Sequence, residues 1–146
     1  MSMKDTAIHD AQTVLREKGF RVTNARVQLL LLLRSIGKPL SIQEILQQWK
    51  NAPNQATVYR ILSDLSDAGI LKRVATHAHT SAFEYTPDKP HHHHAVCTIC
   101  GAIEDIEHCF VDSVQNNVVK DLHLFTSLDS HSLEFFGRCT ACTTQK

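Results

Sequence analysis

Two Cys-x-x-Cys pairs, Cys97/Cys100 and Cys139/Cys142, stand apart by the 38 residues 101 to 138. Each pair is short enough for both thiolates to grip one ion. Together they supply four thiolates, the closed tetrahedral set of structural zinc. The connection between them is longer than in a simple zinc ribbon, so it must fold in its own right. Its pattern reads as a strand "GAIEDIE", a helix "CFVDSVQNNVVKDLH" and a strand "SHSLEFFG". A thioredoxin-type dithiol needs one Cys-x-x-Cys at a helix start. Here there are two, each beside strand-like sequence. Cys109 is left over and is expected to start or pack the helix as a small buried thiol.

The first pair ends a second unusual run, "HHHHAVCTICG" at 91 to 101. Four histidines in mid-chain are not a terminal tag. In an extended segment alternate side chains point to opposite sides. His91 and His93 then face one way, and His92 and His94 the other, so one run feeds two sites. Neutral imidazole suits zinc and several other transition metals. Candidate partners are His77, His79 and Glu84 upstream, and Asp105, Asp112 and His131 downstream.

A chain of 146 residues, 42% hydrophobic and 21% charged, is ordinary for a globular protein with one good core or two small ones. The N-terminus has no apolar stretch of a secretory signal. The longest greasy run, "VQLLLLLRSIG", is broken by Arg34 and too short to span a bilayer. A cytoplasmic, non-membrane protein is expected, in which grouped cysteines mean metal more often than disulfides. The net charge is zero but unevenly spread. Residues 1–83 carry 11 Lys/Arg against 6 Asp/Glu, and residues 84–146 carry 4 against 9. The basic front suits a polyanion and the acidic, histidine-rich back suits cations.

The basic half reads as helices. One runs over 6–18 and stops at Gly19. Thr23 can cap "NARVQLLLLLRSI", which ends near Gly37. Ser41 and Glu44 form a capping box for "SIQEILQQW". Asn54 can cap "QATVYRILSDLSDA", with Gly69 beyond its end. The stretches "ILKRV" and "AFEYT" then fit a hairpin. Short helices followed by a hairpin are the pattern of a winged helix, with 54–68 as the recognition helix. Val58, Ile61, Leu62 and Leu65 make its apolar face. Thr57, Tyr59 and Arg60 lie off that face, near its N-terminal end, placed for phosphates and base edges.

Other classes fit less well. A zinc hydrolase needs an open coordination position and a base, and no His-Glu-x-x-His is present. A zinc-stabilised interaction module without DNA binding is an alternative reading.

"GFRVTNAR" at 19–26, "TVYRILSDLSDAGIL" at 57–71, "FEY" at 83–85, "HHHHAVCTICG" at 91–101 and "HSLEFFGRCTAC" at 131–142 resemble the ferric uptake regulator family, in order and over nearly the whole chain. The resemblance implies an α+β protein: a winged-helix DNA-binding domain over 1–86, a hinge over 87–90 and a small α/β metal-binding dimerisation domain over 91–146. It implies a metal-loaded homodimer repressing transcription from palindromic double-stranded operator DNA. Cys97, Cys100, Cys139 and Cys142 would hold structural zinc. His92 and His94 match two ligands of the sensing site. Glu84 falls where iron-type members use a glutamate, and His77 where some zinc-responsive members have an acidic ligand. Asp105 matches a carboxylate of peroxide-sensing members. A second site would use His91, His93, Asp112 and His131. Arg21 sits where the family places a basic residue near the minor groove. Two features depart from the iron-type pattern: His93 replaces a frequent aspartate, and Pro39 or Leu40 replaces a helix histidine. One extra residue also separates Glu84 from the histidines. These departures resemble the zinc uptake branch, with zinc sensed, rather than an iron- or peroxide-responsive member using ferrous iron or manganese.

Overall fold

The computed structural model describes residues 3–76, 80–87, 91–109, 111–129 and 131–143, without the side chains of Asp112, Ser113 and Asn116. The chain divides into two compact units, Met1–Asp88 and Lys89–Lys146. Among the described residues no helix is long and apolar enough to cross a membrane.

In the first unit the order is α1 (Met3–Glu17), α2 (Asn24–Ile36), β1 (Leu40–Ser41), α3 (Ile42–Gln48), α4 (Gln55–Asp67), β2 (Leu71–Ala75) and β3 (Ser81–Tyr85). Each helix start is chemically marked. The Thr23 hydroxyl accepts from the Arg26 amide, Ser41 and Glu44 form a reciprocal capping box, and Asn54 Oδ1 accepts from the Thr57 amide at 2.9 Å. Helix α2 stops at Gly37, whose φ of 67° lies in the left-handed region that glycine adopts without a Cβ penalty.

The leucine-rich α2 is a core helix: Leu29, Leu30 and Leu33 are buried together with Leu15, Ile45, Leu62, Leu65 and Phe83. Val58, Ile61, Leu62 and Leu65 of α4, spaced i, i+3, i+4 and i+7, are all buried. On α1, Ala11 and Leu15 are buried whereas Ile8 is exposed. Strands β2 and β3 form the antiparallel hairpin, from Leu71↔Tyr85 to Ala75↔Ser81. The two-residue β1, not anticipated from sequence, adds an antiparallel edge against Phe83 and Ala82 of β3. This is the winged-helix arrangement.

The second unit holds β4 (His93–Cys97), β5 (Ile103–Ile106), α5 (Val111–Lys120), β6 (Glu134–Gly137) and α6 (Thr140–Thr143). Its sheet order is β5-β4-β6. Strand β5 returns antiparallel to β4, while β6 runs parallel to it. A parallel neighbour requires a crossover, and α5 lies within that connection. Helix α5 begins at Val111, two residues later than the sequence pattern suggests, which leaves Cys109 outside it.

Leu62 is fully buried within the first unit's core. Leu62→Ala should therefore destabilise that unit by about 2–5 kcal/mol, the cost of lost transfer energy plus a cavity. Urea denaturation followed by far-UV circular dichroism measures it, and a loss below 1 kcal/mol would contradict the assigned packing.

Candidate metal centres and nucleic-acid face

Parallel pairing explains how the two cysteine pairs meet. Cys97 ends β4, and its register partner on β6 is Gly137. Parallel strands finish at the same sheet edge, so the turn after β4 and the segment after β6 emerge side by side. The Thr98 amide donates to the Gly137 carbonyl at 2.8 Å and the Gly101 amide to the Cys97 carbonyl at 2.9 Å, which fixes the first turn. Cys142 sits on the single-turn α6, and its amide donates to the Cys139 carbonyl at 3.1 Å.

The four sulfurs lie within 4.8 Å of one another. Cys100 and Cys139 are 3.7 Å apart at sulfur, and a tetrahedral ion with metal–sulfur bonds of roughly 2.3 Å has an edge of roughly 3.8 Å. All four are thiols rather than disulfides. Backbone amides around Cys97, Cys100's foremost, bring its thiol from 9.0 down to about 6. At Cys142 the opposite holds: hydrogen bonding with Cys100 and Cys139 pushes it up to about 12. One thiolate is thus prepared by the backbone, whereas four neighbouring negative charges resist forming together. A bound dication removes that resistance, and the all-sulfur donor set fits structural zinc.

The histidine run divides as its alternation requires. His91 and His93 lie on one side, with their rings in contact at a centroid distance of 4.7 Å. They converge with His131 and Cys109, with all four ligand atoms within 4.8 Å. Cys109 is therefore neither at the start of the helix nor a mere packing thiol. Its sulfur is 3.3 Å from His93 Nε2 and 3.4 Å from His131 Nε2. The expected carboxylate partner, Asp112, lies on α5, and its side chain is outside the described residues.

His92 and His94 face the other way, with ring centroids 4.9 Å apart. Register places Asp105 of β5 opposite His94, and their side chains approach to 3.6 Å between Nε2 and Oδ1. His94 is fully buried. This gives two imidazoles and a carboxylate, a donor set able to hold a transition metal. Glu84 lies on β3 of the first unit, opposite Lys72. His77 and His79 fall outside the described residues.

On the first unit, the buried stripe of α4 leaves Tyr59 and Arg60 exposed near the helix N-terminus, with Thr57 half-buried. Arg21 is exposed ahead of α2, and its carbonyl accepts from the Arg26 guanidinium at 2.9 Å. Arg26 in turn stands 3.7 Å from Asp64 of α4. The sequence reading missed this Arg26 link, although Asp64 lies on the polar side of α4 where such a partner could be sought.

Cys97→Ser and Cys139→Ser should each remove about one zinc per chain and lower the melting temperature of the second unit, because a structural metal's binding energy is folding energy. Elemental analysis and calorimetry check this. Unchanged zinc and unchanged melting would overturn the four-cysteine assignment.

The model of the ferric uptake regulator family matches residues 17–136. The ferric uptake regulation protein of Yersinia pestis is 30% identical over 134 residues, covering 89% of this chain and 88% of its own. The solved ferric uptake regulator of Helicobacter pylori, described as having three functional metal-binding sites, superposes with a TM-score of 0.74 at 26% identity, over 97% of this chain and 95% of that one. That of Vibrio cholerae gives 0.72 at 28% identity, over 87% and 98%. The family match spans a winged helix followed by a metal-ligand-rich α/β unit, and the chain belongs to the ferric uptake regulator family of metal-responsive transcription regulators, not to an enzyme class.

Proposed function

We propose that this regulator is a zinc-sensing transcriptional repressor that binds palindromic operator DNA as a metal-loaded homodimer and controls metal-uptake genes. The observation that carries the reading is the nitrogen and sulfur richness of its donor sets. Four imidazoles from one short run, four paired thiols and a fifth thiol beside three histidines suit zinc better than ferrous iron or manganese. The sensing ligands are His92 and His94, joined by His77 or Glu84 from the first unit, with Asp105 as a further carboxylate. The second site draws on His91, His93, Asp112 and His131.

The bound ion supplies a fixed coordination geometry and no reaction. His92 and His94 belong to the second unit, and His77 and Glu84 to the first. Ligation from both sides restrains the chain over 87–90 and fixes the spacing of two recognition helices on a two-fold operator. A differential affinity of about 3 kcal/mol for the restrained state gives about a 100-fold change in DNA binding. Exposed Val114 and Val118 of α5 and Phe135 and Phe136 of β6 support a homodimer, since such side chains favour burial against a second copy. On DNA, Thr57, Tyr59 and Arg60 meet the major groove, and Arg21 meets the backbone or minor groove.

An iron-responsive reading is favoured by the ferric uptake name that the Yersinia pestis relative and the solved Helicobacter pylori and Vibrio cholerae regulators share. Gel-shift titrations of one purified sample with zinc, ferrous iron and manganese separate the two. Zinc should give operator binding at the lowest free metal concentration; iron doing so would sink the zinc assignment.

His92→Ala combined with His94→Ala should abolish metal-dependent DNA binding while the structural zinc and the dimer persist. Calorimetric metal counting, size-exclusion chromatography and gel shifts read the three properties separately. If His91→Ala with His93→Ala has that effect instead, the two faces of β4 exchange roles.

Arg60→Ala should weaken operator binding by about 1–3 kcal/mol and relax base preference, whereas Arg21→Ala should weaken all sequences alike. Fluorescence anisotropy on operator and scrambled duplexes measures both. Wild-type affinity in the Arg60 variant would mean that α4 is not the reading helix.

A further inference from the structure

We propose that Cys109 is a metal ligand, and that His91, His93, His131 and Cys109 form a three-nitrogen, one-thiolate site for a tetrahedral, borderline-soft cation of the zinc type. The inference deepens the second-site reading above, and it gives the fourth position to a thiolate rather than to a carboxylate.

The geometry of the ligand atoms is the first support. A tetrahedron has six edges, and five are defined here. His91 and His93 Nε2 are 3.2 Å apart, His91 and His131 Nε2 2.9 Å, and His93 and His131 Nε2 3.4 Å. Cys109 Sγ adds 3.3 Å to His93 and 3.4 Å to His131. Zinc–nitrogen bonds of roughly 2.0–2.1 Å and a zinc–sulfur bond of roughly 2.3 Å give edges of roughly 3.3–3.6 Å.

Hydrogen bonding cannot account for this cluster. An Nε2 atom either carries a proton and donates, or carries a lone pair and accepts. Among three mutually adjacent Nε2 atoms, at least two must be of the same kind. At least one of the three contacts therefore sets donor against donor or lone pair against lone pair. A cation resolves the conflict: all three rings carry their proton on Nδ1 and direct the Nε2 lone pair inward.

The elements holding the cluster are separate in sequence. His93 is the first residue of β4 and fully buried, Cys109 lies between β5 and α5, and His131 precedes β6. One bound ion would thus link three segments of a unit whose described core is otherwise small. A thiolate among the donors selects for zinc-like ions over ferrous iron and manganese, which favour carboxylate and water.

The test uses the full chain with its structural zinc retained, in a His92→Ala/His94→Ala background that removes the other imidazole pair. Cobalt(II) is titrated anaerobically. The background protein should take up one cobalt and develop a thiolate-to-cobalt charge-transfer band. Adding Cys109→Ser should abolish that band and weaken cobalt binding at least tenfold, more than loss of a supporting outer group costs at its mildest. Any cobalt exchanged into the four-cysteine site appears equally in both proteins and cancels in the difference spectrum. Adding Asp112→Asn instead should leave the band intact. The proposal is overturned by an absent band, by a band indifferent to Cys109→Ser, or by loss of the band in the Asp112→Asn protein. Zinc-dependent DNA binding of the unsubstituted chain is measured separately, so failure of the repressor reading leaves this result unaffected, and the converse also holds.

Discussion

The parallel pairing of β4 with β6 is the constraint on which the second unit depends. It brings the ends of two distant strands to one edge of the sheet, where Cys97 ends β4 and Cys139 follows β6. Antiparallel pairing would send the two Cys-x-x-Cys turns to opposite edges and leave neither with a complete coordination shell. The crossover that parallel pairing demands is met by α5, so the long connection between the cysteine pairs is the topological cost of bringing them together.

That constraint matters because the unit has little else to hold it. Among its described residues, the buried apolar side chains are Val96 and Cys97, accompanied by His92, His93 and His94. A small domain without a sizeable apolar core needs metals, disulfides or a partner. Here all the buried side chains but Val96 are imidazoles or a thiol, groups able to ligate a metal. Where imidazoles and thiols ligate an ion in place of packed leucines, the stability of a unit is coupled to metal loading. The first unit is built on the opposite principle, with α2 and α4 contributing fully buried leucines to an apolar core.

One strand separates two chemistries. The pleat directs His91 and His93 toward Cys109 and His131, and His92 and His94 toward the face where Asp105 lies. Adjacent residues thus fall into two separate groups of candidate ligands that have no member in common. A one-residue slip of β4 against β5 would exchange His93 and His94 between the two faces, and the ladder from His93↔Ile106 to Val96↔Ile103 holds the register against it.

The sequence by itself determined the local features. Thr23, Ser41 and Asn54 start helices because their side-chain oxygens satisfy first-turn amides. Leu62 and its neighbours face inward because they recur at helical spacing, and four histidines alternate because a strand has a period of two. The Cys-x-x-Cys pairs declared four thiolates for one ion, since a short loop can hold both sulfurs toward the same point. Only the tertiary structure decided what depends on distant segments meeting. The two-residue β1 carries no periodicity of its own and exists because β3 offers it an edge. Cys109, alone among the cysteines in lacking a second cysteine three positions away, reads along the chain as a packing thiol. It joins His91, His93 and His131 because the turn after β5 and the segment before β6 converge on the first residues of β4. A lone residue's chemistry is set by what folds against it, and no local pattern records that.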